Sequence, residues 1–161
     1  MIWVENRARV IEWEGRLAVL ATIYDVTERK TAWRELERTE QRLAGILDIA
    51  PEAIMSVDEQ SRIRIFNKGA QRLFGYAEEE MLGQRVERLM PERFRDLHEK
   101  RMAEFAHSDI VSRPMNLRGE IIGLRRDGAE FPAEASISKL KLDGHWLFNV
   151  TIQDVTERKR A

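Results

Sequence analysis

The chain has 161 residues, more than one small domain needs and too few for two full ones, so we expect one domain with an appendage. Lys and Arg number 27 and Asp and Glu number 28, and this net charge of -1 argues against nucleic acid and anionic lipid as partners. Cysteine is absent, which excludes disulfides, cysteine-ligated metals, thiol nucleophiles and a flavin–thiol adduct.

The sequence carries no membrane or export signal that can be read directly. No apolar run approaches the roughly 20 residues that a membrane-spanning helix needs. The first residues lack the basic and then apolar order of a signal peptide. The sequence alone therefore favours a cytoplasmic protein without a membrane partner.

A stretch of about 29 residues occurs twice in the chain. The hexapeptide 25–30 recurs unchanged at 154–159, which is 129 residues later, and the same offset aligns further identical residues without a gap. Each copy has strand-like segments on both sides of a two-residue turn, Glu14-Gly15 or Asp143-Gly144. This pattern predicts a β-hairpin that leads directly into a helix.

The repeat divides the chain into unequal parts. Residues 1–26 are predicted to be the C-terminal hairpin of a preceding domain, and residues 49–155 a complete domain of the same kind. We predict that residues 27–48 form a charged linker helix and that residues 156–161 form the start of an output helix. The linker has an apolar stripe with heptad spacing, broken by one Glu, which favours either a coiled coil in a homodimer or a solvated connecting helix. The stripe consists of Val26, Trp33, Leu36, Glu40, Leu43 and Leu47.

The sequence of the complete domain predicts two strands, then four short helices, then three further strands. The longest helix is expected from Glu92 to about Ala106, and the third strand from about Met115 to Leu124. This order indicates an α+β fold with one five-stranded antiparallel sheet and helices on one face, preceded by a β-hairpin and a linker helix.

Several stretches of this domain resemble the PAS domain family. The resemblance implies the PAS fold and a sensory module of a multidomain bacterial signalling protein, a histidine kinase or a cyclic-di-GMP enzyme. The output domain of such a protein is missing from this chain, and residues 2–30 resemble the end of a preceding PAS domain. The matching stretches are 65–76, 80–84, 89–95, 125–132 and 154–158.

The last of these stretches resembles the Asp-Ile-Thr signature that couples the final strand of a PAS domain to its output helix. We therefore hypothesise that Asp154 and Thr156 relay the signal. Their counterparts in the first copy are Asp25 and Thr27, and the identical recurrence motivates the hypothesis.

No set of residues in the sequence points to catalysis. The three histidines, His98, His107 and His145, lack metal-ligand spacing, and no phosphate-binding loop or nucleophile motif occurs. The acidic residues mostly alternate with Arg and Lys, which is typical of a solvated face. We therefore expect that the chain is not an enzyme.

One histidine is a candidate ligand for a cofactor. His98 shares a predicted helix face with Phe94 and Met102, and an imidazole there can bind iron in a cavity between helix and sheet. In haem-binding PAS domains of bacterial oxygen sensors, the proximal histidine lies on this helix shortly after a Met-Pro-Glu stretch, and His98 has the matching position. The resemblance thus implies a haem pocket of His98, Phe94 and Met102, with His98 as the iron ligand.

The same resemblance implies a distal arginine about twenty residues after the histidine. Counting forward from His98 reaches Arg118, whereas counting back from the stretch at 125–128 reaches Gly119. Arg118 is therefore a candidate that depends on the alignment.

Alternatives for the cavity and for the domain stay open. Haem would serve gas or redox sensing, a flavin could bind non-covalently, or no cofactor binds and His98 only bonds a neighbouring carbonyl or carboxylate. In the rival interpretation, the domain is ligand-free and acts as a structural dimerisation spacer.

Overall fold

The computed structural model of the chain describes residues 1–114 and 121–161. The chain divides into two compact units, Met1–Gly45 and Ile46–Ala161. In the part of the chain that is described, no helix is both long enough and apolar enough to cross a membrane.

The first unit contains a β-hairpin followed by a helix. Strands β1 (Val4–Trp13) and β2 (Arg16–Asp25) pair antiparallel along their whole length. The turn between them has positive φ at Glu14 and Gly15, the backbone that a two-residue hairpin turn of this kind requires. Helix α1 (Thr27–Ile49) follows directly, and none of its residues is buried.

The second unit is built on one antiparallel sheet. Its strands are β3 (Ala53–Val57), β4 (Ile63–Phe66), β5 (Ser112–Pro114), β6 (Ile121–Leu124), β7 (Glu130–Leu142) and β8 (His145–Asp154). The order across the sheet is β4-β3-β8-β7-β5, and β6 pairs with the same strand, β7, as β5 does. The sheet therefore has five strand positions, as the sequence predicted.

The edge position beside β7 differs in detail from the expectation. The sequence predicted a strand from about Met115 to Leu124, of which β6 is the second half. Residues 115–120 lie outside the described residues.

Helices cover the face of this sheet that carries the buried side chains. They are α2 (Lys68–Phe74), α3 (Glu78–Met81) and α4 (Arg95–His107), with 3₁₀ turns at Val86–Leu89 and Glu92–Phe94, while α5 (Thr156–Arg160) follows the last strand. The sequence predicted one helix from Glu92, but the α-helix begins at Arg95, because the residues after Pro91 form a separate 3₁₀ turn.

Asn67 begins α2 and ties it to the sheet. Its Oδ1 accepts from the backbone N–H of Ala70 at 2.9 Å, as an N-cap does, and from Ile54 on β3 at 2.8 Å. Its Nδ2 donates to the carbonyls of Leu47 and Glu52. One buried amide thus fixes the place where the chain enters this unit.

The core lies between the sheet and these helices. Alternate residues of β7 point inward and are buried, because successive side chains of a strand face opposite sides of the sheet. Aromatic rings dominate the contact, with centroid distances of 5.7 Å for Phe74–Phe131 and 6.2 Å for Phe105–Phe148. The most deeply buried large side chains are Met55, Val57, Ile63, Phe66, Phe74, Met81 and Phe105.

Candidate functional site

A cavity of about 430 Å³ lies in the second unit between α4 and the sheet. Its floor is apolar and comes from the inward side chains of the central strands, among them Met55, Ala135 and Val150. Its volume falls within the range of about 300 to 1,000 Å³ that is usual for small-molecule sites. The fold therefore leaves space for a ligand at the place where the sequence predicted a pocket.

The structure brings three of the four predicted pocket residues to this cavity. Phe94, His98 and Met102 all line it, since residues four apart lie on one side of a helix or of its leading turn. Met102 is buried, and the His98 side chain is 13% exposed. The fourth candidate, Arg118, lies outside the described residues.

The buried carboxylate of Glu87 is the hydrogen-bond partner of the His98 ring. Nδ1 of His98 lies 3.2 Å from Oε1 of Glu87, and the Glu87 side chain is 7% exposed. Oε2 of Glu87 accepts from Nε of Arg85 at 3.1 Å. Burial by itself raises the pKa of the Glu87 carboxyl, but the hydrogen bonds from His98 and Arg85 outweigh burial and lower that pKa to about 2.

Sequence reasoning missed Glu87 because it stands in a run of alternating charges, Arg85-Val86-Glu87-Arg88, that is typical of a solvated surface. The distinguishing signal is local. Val86 and Leu89 on either side are apolar and buried, so the 3₁₀ turn that contains them also brings Glu87 inside.

Two further charged side chains, Arg101 and Glu104, border the cavity from α4. Among the described residues, neither has a hydrogen bond or ion pair with another side chain. In the same part of the chain, no group of three His, Asp or Glu side chains is arranged to hold a metal ion. The chemistry that the cavity offers is thus one imidazole, an apolar floor and a charged rim.

The predicted relay residues form a compact junction at the end of the sheet. Oδ1 of Asp154 accepts from the backbone N–H of Thr156 at 2.8 Å and from the Thr156 hydroxyl, which caps α5. Oδ2 of Asp154 accepts from Nη2 of Arg125 at 2.6 Å. Burial raises the pKa of Asp154, but these hydrogen bonds and the guanidinium outweigh it, so the pKa of the carboxyl is lowered overall.

The first unit repeats the bonds between the Asp and Thr of this junction. Oδ1 of Asp25 accepts from the N–H and the hydroxyl of Thr27 at 2.9 and 2.6 Å. The N–H of Val26 donates to the Trp3 carbonyl at 2.9 Å, just as Val155 donates to Pro132 at 3.0 Å. An ion pair between a strand and a helix also recurs, as Glu5–Arg29 and Glu134–Arg158.

Arg125 distinguishes the second junction from the first, and sequence reasoning gave it no role. Besides Asp154, its guanidinium donates to the Leu73 carbonyl near the end of α2 and lies 4.4 Å from the centroid of the Phe131 ring. The signal available in the sequence was its place just before the turn Asp127-Gly128.

A family model described as a PAS domain matches residues 51–157. The chain belongs to the PAS domain family. This match confirms the resemblance that the five sequence stretches indicated, and the five-position sheet with its helical cover is the PAS fold.

The relatives extend this similarity over nearly the whole chain. The chain is 33% identical over 163 residues to Sensor protein FixL of Bradyrhizobium diazoefficiens, and the match covers 99% of this chain and 32% of FixL. The chain thus spans about a third of the length of this relative.

Solved structures of PAS domains are similar in fold to this chain. A PAS domain of an HTR-like protein from Haloarcula marismortui has a TM-score of 0.66 at 24% identity, covering 78% of this chain and 98% of that chain. A PAS domain from Colwellia psychrerythraea has a TM-score of 0.63 at 24% identity, covering 74% and 99%. An RNA-binding light-oxygen-voltage receptor is 26% identical with a TM-score of 0.61, covering 74% and 34%.

Proposed function

We propose that this PAS domain is the sensory part of a bacterial signalling protein and that it binds a small molecule in the cavity beside His98. The observation that carries the proposal is one histidine at the border of an otherwise largely apolar cavity of about 430 Å³. The likeness to a protein named as a sensor supports the role. The output domain is a histidine kinase or a cyclic-di-GMP enzyme in this proposal, and the role of this chain is non-catalytic.

Haem is the ligand that the residues of the cavity fit best. A haem needs an apolar slot and a ring nitrogen that no protein group occupies, and Nε2 of His98 has no hydrogen-bond partner among the described residues. Arg101 on the rim offers a cation for a propionate. When bound, haem supplies an iron that takes up a diatomic gas or changes its oxidation state.

In this proposal, residues that line the cavity each have a role in binding such a ligand. His98 would hold the iron, Phe94 and Met102 would pack against the macrocycle, and the apolar floor would exclude water. A ligand acts on output only if it stabilises one arrangement of the sheet and the output helix over another. We place that coupling at Asp154 and Thr156, where strand and helix share one carboxylate.

The first test is a visible absorption spectrum of the chain expressed with a haem supply. We expect a Soret band in the wild type and its loss or shift in His98→Ala. His107→Ala is the matched control, because His107 is on the same helix, is exposed and does not line the cavity. A chain without a Soret band, or with the same band in His98→Ala, would rule out ligation by His98.

Native mass spectrometry of the purified chain covers the other ligands in the same experiment. A mass increase equal to a flavin would assign the cavity to a non-covalent flavin, and a bare chain under all expression conditions would favour the ligand-free alternative.

A second candidate function is a structural dimerisation spacer, which the surface of α1 favours. Trp33, Leu36 and Leu43 are each more than half exposed, an unusual number of large apolar side chains for one helix without a partner. We propose a homodimer through α1 and the β1–β2 hairpin, with no nucleic-acid or membrane partner. Sedimentation equilibrium of the wild type and of a Leu36→Lys, Leu43→Lys variant tests it, and equal masses would contradict it.

A further inference from the structure

The Glu87 carboxylate that contacts His98 is buried and belongs to a turn with its own backbone anchor, unlike the carboxylate of a surface ion pair. Glu87 lies in the 3₁₀ turn Val86–Leu89, and His98 lies on α4, so the two partners come from different elements. The backbone N–H of Val86 donates to the Ser61 carbonyl at 2.9 Å, which anchors the turn next to β4. The backbone of the turn that carries Glu87 is therefore anchored independently of α4.

Both carboxylate oxygens of Glu87 are used, one for each partner. Oε2 faces the guanidinium of Arg85, whose other nitrogen also pairs with Glu99, and Oε1 faces Nδ1 of His98. An ionised carboxylate can only accept hydrogen bonds, and a neutral imidazole carries one hydrogen on either Nδ1 or Nε2. The contact therefore requires the hydrogen on Nδ1.

We infer that Glu87 is a positioning residue for His98: it keeps the neutral imidazole in the Nδ1–H form, so that Nε2 carries the free lone pair that a ligand in the cavity meets. The inference deepens the proposed function and rests on it for the identity of that ligand. Histidines that bind metals usually donate their second ring N–H to a carboxylate or carbonyl, which fixes the ring and makes the binding nitrogen more basic.

Two substitutions of Glu87 separate the effect of its hydrogen bond from the effect of its negative charge. A glutamine at this position keeps an oxygen acceptor for Nδ1–H but removes the negative charge, whereas a methionine of similar size removes both. Glu99→Gln is the matched control, because Glu99 also pairs with Arg85 but makes no side-chain hydrogen bond or ion pair with His98 among the described residues.

The first experiment measures the tautomer of His98 by ¹⁵N NMR in the chain without ligand, at a pH where the imidazole is neutral. The chain has three histidines, so His98→Ala assigns the signal. We expect the Nδ1–H form in the wild type, Glu99→Gln and Glu87→Gln, and a shift towards the Nε2–H form in Glu87→Met. An Nε2–H form in the wild type, or an unchanged tautomer in a folded Glu87→Met, would overturn the inference.

The second experiment uses the haem-loaded chain and measures the midpoint potential of the Fe(III)/Fe(II) couple. A negative charge on the far side of the ligating histidine stabilises the ferric state, so we expect a higher potential in Glu87→Gln than in the wild type and in Glu99→Gln. Equal potentials in all three would overturn the charge effect. If no haem binds, the proposed function fails alone, because the tautomer experiment still decides the role of Glu87.

Discussion

Arg125 and Asp154 form an ion pair of 2.6 Å that joins the turn after β6 to the last residue of β8. The same guanidinium donates to the carbonyl of Leu73, so one side chain contacts both α2 and the end of the sheet that leads into α5. The Asp154 side chain is 26% exposed, which limits screening of the pair by solvent. A movement of α2 or of the sheet therefore reaches the junction through one residue.

The first prediction concerns Asp154→Ala. The substitution removes the cap of α5 and the partner of Arg125, so we expect faster hydrogen exchange at residues 156–160. The unfolding free energy of the second unit should fall by about 1 to 2 kcal/mol, which is typical of a lost cap together with a partly buried ion pair. Exchange measured by mass spectrometry, together with urea unfolding, checks both expectations.

Asp25→Ala is the matched control, since Asp25 makes the same capping bonds to Thr27 but has no Arg partner among the described residues. It should speed exchange at the start of α1 and leave 156–160 unchanged. If Asp154→Ala and Asp25→Ala had the same effect at their own helices, Arg125 would contribute nothing to the junction.

A contact in this structure can be predicted from the sequence only when the two interacting residues lie close to each other along the chain. The two hairpins, the helix starts that follow them and the helix face shared by His98 and Met102 are readable from short-range patterns, because turn glycines, capping residues and helical spacing act locally. Glu87 and Arg125 were missed as functional residues because their partners lie 11 and 29 residues away, and only packing reveals which charged residues turn inward.

The second prediction concerns acid stability and Glu87. Its pKa is lowered from 4.5 to about 2, so its stabilising contribution is complete above pH 4.5 and is lost as the pH falls towards 2. Glu87→Gln should lower the unfolding free energy by about 2 kcal/mol at pH 7, and the difference from the wild type should shrink between pH 5 and pH 2. Thermal unfolding over this pH range measures the difference.

Glu99→Gln serves as the control here as well, because Glu99 is half exposed and pairs only with Arg85 among the described residues. At pH 7 its unfolding free energy should lie within about 1 kcal/mol of that of the wild type, because exposed ion pairs contribute little. A constant offset for Glu87→Gln from pH 5 to pH 2 would show that the lowered pKa of Glu87 does not contribute to stability.

The third prediction concerns the buried Lys139. Its Nζ donates to the carbonyls of Phe105, Ala106 and Ser108, which end α4, and only 6% of the residue is exposed. Lys139→Met keeps the apolar stem and removes these bonds, so we expect a loss of about 2 kcal/mol and faster exchange at the C-terminal turn of α4. Calorimetry and hydrogen exchange measure the two effects.

Lys141→Met is its control, because Lys141 is two residues further along the same strand and is exposed. It should unfold within about 0.5 kcal/mol of the wild type, as surface substitutions usually do. Equal melting temperatures for the two variants would mean that Lys139 does not hold the end of α4.

The fourth prediction compares two glycines that both lie in helices. A Cβ added to Gly69 in α2 would lie 2.1 Å from the carbonyl oxygen of Glu52, a backbone atom that cannot turn aside, whereas one added to Gly45 in α1 would meet nothing within 4 Å. Gly69→Ala should therefore destabilise the second unit by about 1 to 3 kcal/mol through overpacking at the start of β3. Gly45→Ala should stabilise α1 by up to about 1 kcal/mol, because alanine is the better helix former.

Far-UV circular dichroism melts of both variants and of the wild type measure these opposite shifts. A Gly69→Ala protein that melts with the wild type would show that α2 can move away from Glu52. Because Nδ2 of Asn67 donates to the same Glu52 carbonyl, such a movement would also strain or break that hydrogen bond. A Gly45→Ala protein less stable than the wild type would contradict the expectation that open space surrounds this position of α1.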